Sequence, residues 1–64
     1  MTLVLKKQIY QKDSILHAIE AYQEIASVLL YENETDWICE FTWTEYEQSL
    51  TMREFENYVI SMEG

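Results

Sequence analysis

The stretch Trp37-Ile38-Cys39-Glu40-Phe41-Thr42-Trp43-Thr44 decides the fold of this chain. Successive side chains on a strand point to opposite faces. Trp37, Cys39, Phe41 and Trp43 therefore share one face, and Ile38, Glu40, Thr42 and Thr44 share the other. A face that large and apolar needs a second layer to cover it. Just upstream, Val28-Leu29-Leu30-Tyr31 is a β-prone run, and the polar stretch Glu32-Asn33-Glu34-Thr35-Asp36 between the two reads as a turn. Residues 28–44 thus predict a β-hairpin, with Asn33-Glu34 a weaker turn signal than Asn-Gly.

Helical periods flank the hairpin. Ile15, Ala18, Ile19, Tyr22, Ile25 and Ala26 recur at helical spacing, with His17, Glu20 and Glu24 opposite them. They predict an amphipathic helix over 14–26 with Asp13 as its N-cap. Downstream, Thr51 and Glu54 have the spacing of a capping box, and Leu50 and Phe55 that of a hydrophobic staple. With Phe55, Tyr58, Val59 and Met62 on one face, these predict a helix over 52–62. Leu3, Leu5 and Ile9 alternate well enough to predict a first strand over 2–9.

The resulting order is β-α-β-β-α, an α+β fold with two helices on one face of a three-stranded mixed sheet. A right-handed crossover is expected between the first two strands. The four large inward residues of the third strand suit a central position, which gives the order 1-3-2, a ferredoxin-like half without its last strand. The order 1-2-3 also satisfies the stripes. All 64 residues form a single small domain, with no proline, one terminal glycine and no linker.

Charge is unevenly spread. Twelve acids against four bases give a net charge of -8. Up to Tyr31, three acids balance three bases; beyond it, nine acids face Arg53 alone. Four scattered cations cannot neutralise a phosphate backbone, so no nucleic-acid partner is expected. The longest apolar run, Ile25–Tyr31, is far short of the roughly 20 residues of a spanning helix, so no membrane is expected either. The start of the chain lacks a signal-peptide pattern. With a single cysteine, a reducing, cytoplasmic location is the expectation.

No residue set forms a catalytic or cofactor constellation. Glu32, Glu34 and Asp36 have the opening spacing of a calcium loop, but Trp37 stands where glycine is needed and Trp43 where the bidentate glutamate belongs. They read as a solvated turn. His17 with Glu20 and Glu24 offers too few ligands for a metal and reads as a surface histidine flanked by carboxylates. Cys39, in the apolar register, reads as a buried and inert thiol. No metal, no cofactor and no enzymatic activity are expected. Nine aromatics in 64 residues read mainly as core filling, with a share left for an interface, where such rings are enriched. Tyr31, Ile38 and Tyr46 fall outside the inward register. Together with Glu32, Glu34, Asp36 and Glu40 they make the candidate interaction surface. The uncovered sheet face is expected to carry Val4, Ile38, Thr42 and Tyr31.

Ile9-Tyr10 followed by Asp13-Ser14-Ile15-Leu16-His17-Ala18-Ile19, and Glu54-Phe55-Glu56-Asn57-Tyr58-Val59-Ile60, resemble the opening motif and the Glu-Phe-x-Asn helix of one family, the HxsD-like proteins of the His-Xaa-Ser repeat system. Tyr58 stands where that family usually has an acidic residue. The resemblance implies a small accessory protein working beside a radical S-adenosylmethionine enzyme that modifies a peptide, and it supplies no catalytic residues. The expected function is therefore a non-enzymatic binding module for a peptide or enzyme partner, basic in character to suit the acidic surface. A structural homodimer packed through the open sheet face is the alternative.

Overall fold

A computed structural model describes residues 1–64. The elements are β1 (Thr2–Lys6), α1 (Lys12–Ala21), β2 (Ala26–Glu32), β3 (Asp36–Thr44) and α2 (Gln48–Met62). The strands form one sheet in the order β1-β3-β2. Both pairings are antiparallel. The sheet is therefore not mixed in the expected sense: β1 and β2 run the same way, but β3 separates them.

The inward stripe of β3 holds the core together. Cys39 lies between Leu3 and Leu30, Trp37 lies between Leu5 and Glu32, and Phe41 lies opposite Val28. Residues directly opposed in a sheet share a face. The helices cover that face: Leu5, Cys39 and Phe41 are buried with Ile15, Ala18, Phe55 and Val59 from α1 and α2. Phe41 meets Phe55 edge-on at 5.1 Å between ring centroids, and Tyr22 meets Phe55 and Tyr58 at 5.6 and 5.8 Å. Such edge-to-face pairs contribute about 1 kcal/mol each beyond area burial. The Trp37 indole N–H donates to the Tyr10 carbonyl at 3.0 Å, which ties the β1–α1 connection to β3.

Several boundaries differ from expectation, most of them for a local reason. β1 stops at Lys6 because its carbonyl accepts from the N–H groups of Ile9 and Tyr10, turning the chain. α1 ends at Ala21, not residue 26. Ile25 and Ala26 N–H both donate to the Tyr22 carbonyl, and Ala26 then pairs with Thr44 as the first residue of β2. Asp13 sits inside the first turn of α1, while Gln11 is the capping position and makes no side-chain cap of its own.

α2 starts four residues early. The Glu47 carboxylate accepts from Ser49 N–H at 2.9 Å and Leu50 N–H at 3.1 Å. The expected capping box and staple are thus overturned. Thr51 is buried inside the helix with its hydroxyl donating to the Glu47 carbonyl, and Leu50 is exposed.

Candidate functional site

The helices leave one side of the sheet uncovered. The rows Val4–Ile38–Tyr31 and Thr2–Glu40–Leu29 cross all three strands on that side. Val4, Leu29 and Tyr31 are about half exposed, and Ile38 between them is half-buried. The expected sheet-face residues Val4, Ile38 and Tyr31 are therefore neighbours.

Trp43 joins them, against expectation. The register shifts between Ser27 and Val28, so that Ser27 opposes Trp43 while Val28 opposes Phe41. Thr42 is the extra residue of a β-bulge, its hydroxyl donating to the Ser27 carbonyl at 3.3 Å. One inserted residue reverses the alternation. Thr44 turns toward the helix layer opposite buried Ala26, and Trp43 turns out onto the open face, 46% exposed. No glycine marks the bulge, so strict alternation along β3 placed Trp43 on the wrong side.

The acids assigned to this surface are arranged differently from a bare anionic patch. Glu40 lies on the open face, where it accepts from the Thr2 hydroxyl and from the Met1 ammonium at 3.1 Å. These hydrogen bonds, that of Thr2 first, hold its carboxyl below the ordinary value. Asp36 begins β3 opposite Lys6, with the ammonium 3.9 Å from Oδ1 and the Thr35 hydroxyl on Oδ2. Glu32 does not belong to the open face: it ends β2 opposite Trp37, on the helix side, and accepts from Lys7 at 2.8 Å, a hydrogen bond that also lowers its pKa. The same ammonium sits 4.6 Å from the centre of the Trp37 ring. Glu34, in the turn, has no ion pair. The turn itself is held by Asn33, whose Oδ1 accepts from the N–H groups of Thr35 and Asp36.

Tyr46 does not belong to this surface. It lines a separate groove of about 420 Å³ with Tyr22, Ile25 and Leu50, between the end of α1 and the start of α2. His17 and Glu20 lie on the exposed face of α1 beside Asp13 and Leu16, and Glu24 lies beyond the helix in the following turn. The three side chains line no common pocket. Cys39 is fully buried, and desolvation pushes its thiol up to about 11. No helix is long and apolar enough to cross a membrane.

Both outer strands keep a free backbone edge. Phe41 N–H donates to the Met1 carbonyl and Lys7 N–H to the Thr35 carbonyl. By the alternation of antiparallel ladders, the odd-numbered residues of β1 bond to β3, and Thr2 and Val4 point their peptide groups outward. On β2 the outward groups are those of Val28 and Leu30. Comparisons with protein families, with curated proteins and with solved structures give no match to this chain.

Proposed function

We propose that this chain is a non-enzymatic binding module that docks a protein or peptide partner on the open face of its sheet. One observation carries this reading: Val4, Leu29, Tyr31, Ile38 and Trp43 form a contiguous apolar surface with no helix over it. Contiguous exposed apolar patches mark interaction sites, and aromatic anchors supply much of the energy there. Tyr31 and Trp43 are those anchors. The resemblance to HxsD-like proteins gives the reading a setting, an accessory role in the enzymatic modification of a peptide. The face itself is close to neutral, since Lys6 and the N-terminus balance Asp36 and Glu40 there, so apolar contact holds the partner.

A photoreactive amino acid replacing Trp43, compared with one replacing Leu16 on the exposed side of α1, tests the reading in cells. The expected result is an adduct of discrete mass from position 43, lost when Leu29→Lys is added, and none from position 16. Equal labelling from both positions would sink the reading.

A further inference from the structure

Resting on that reading, we infer that the partner covering the open sheet face is a second copy of this chain. Charge supports this first. On the open face, Asp36 and Glu40 each pair with a cation of their own chain, Lys6 and the N-terminus, while Glu32 lies opposite Trp37 on the helix side and pairs with Lys7. The other nine acids, with only Lys12 and Arg53 among them, lie elsewhere: in α1 and the turn after it, in the hairpin turn, in the β3–α2 connection and cap, and along α2. The face thus carries about one unit of the net charge of -8. Its apolar side chains flank the ion pair of Glu40 with the N-terminus on the middle row, so the face carries both signs and can oppose itself.

Geometry removes the remaining objection, that two chains of charge -8 repel. Sheets packed face to face sit about 10 Å apart, and each helix layer lies roughly another 10 Å behind its sheet. The acidic helix layers of the two copies are then about 30 Å apart, roughly three screening lengths or more at physiological salt. Like charges face outward into solvent, and apolar rows face each other.

The area is also sufficient. A standard interface takes about 800 Å² from each partner. That is near a fifth of the 4278 Å² this chain exposes, and one broad face of a two-layer domain can supply it. A two-fold interface uses the same patch twice, so the five apolar residues each count on both sides. The arrangement is a four-layer α/β/β/α particle with both helix layers outward.

Sedimentation equilibrium on the purified chain tests this. At 100 µM total protein the expected species has twice the 7.7 kDa chain mass, and Trp43→Lys or Leu29→Lys weakens association at least ~30-fold, the effect of losing an interface hot spot. Leu16→Lys leaves association unchanged. Because the face repels little, raising NaCl from 50 to 500 mM does not dissociate the dimer. A monomer of the unsubstituted chain at 500 µM overturns the inference, whatever the variants do. A discrete adduct of some other mass from position 43 would in that case leave the binding-module reading standing, whereas no adduct would remove both.

Discussion

Cys39 is the residue where packing and chemistry meet most directly. Strand alternation turns its thiol into the core between Leu3 and Leu30, where no part of it reaches solvent. Burial disfavours the thiolate and raises the pKa from an ordinary 9.0 to about 11. At pH 8 that alone leaves about 100-fold less thiolate than in a solvated cysteine, before access is counted. The expected result is that a thiol reagent modifies the chain only as fast as it unfolds. Reaction of the native chain at the rate of a denatured control would show the thiol to be reachable. Glu63 carries a different lesson at the same scale. From the end of α2 its carboxylate accepts the Gln11 N–H at 2.9 Å, and hydrogen bonds from the Ser14 hydroxyl and that N–H hold its pKa low. The cap missing from α1's own side chains is supplied by the other helix.

At the level of elements, the caps show what the sequence discloses and what it does not. Glu47 closes the start of α2 by accepting from Ser49 and Leu50 N–H groups. Thr51, though spaced from Glu54 as a capping box, is a buried helix-interior residue. Replacing Glu47 by Gln is expected to lower the thermal midpoint by roughly 5 °C, as loss of an average cap does in a domain of this size. Replacing Glu54 by Gln is expected to change it by under about 1 °C, because no α2 N–H depends on that side chain. Equal losses would restore the capping box. A differential melt by circular dichroism checks both. The element order and the inward placement of Trp37, Cys39 and Phe41 are legible from period alone, while the central position of β3 is one of two orders that the stripes allow. The sharing of the uncovered face by Val4, Ile38 and Tyr31 is legible too, though their register is not. What period cannot show is where a backbone hydrogen bond departs from the repeat. The Thr42 bulge, the early end of α1 at Ala21 and the start of α2 at Gln48 are each set by such bonds. The bulge matters most, because it moves Trp43 from the core to the candidate surface.

For the whole molecule, acid is the condition that separates the two roles its carboxylates play. Glu32, Glu40, Glu47 and Glu63 are all held below the ordinary value of 4.5, by hydrogen bonds from Lys7, Thr2, Ser49 and Ser14 respectively as the leading causes. A carboxyl whose pKa is lower in the folded than in the unfolded chain adds stability above its unfolded pKa, and loses it as pH falls through the folded one. These four sites therefore weaken the fold below about pH 4.5. Acid also lowers the overall negative charge of a chain of charge -8, and with it the self-repulsion of the compact state. Between pH 7 and 5 neither process is far advanced, so the urea midpoint is expected to stay level or rise slightly. It then falls as pH drops from about 4.5 toward 3. The double variant Glu47→Gln, Glu63→Gln begins lower at pH 7 and loses less over that acid range, because two of the four linked protons are gone. Urea titrations at fixed protein concentration measure this, the fixed concentration being needed because a dimer adds mass-action stability. A midpoint that keeps rising through pH 3.5 would mean that relief of repulsion outweighs the capped and paired carboxylates, and that these hold the fold far less than their geometry implies.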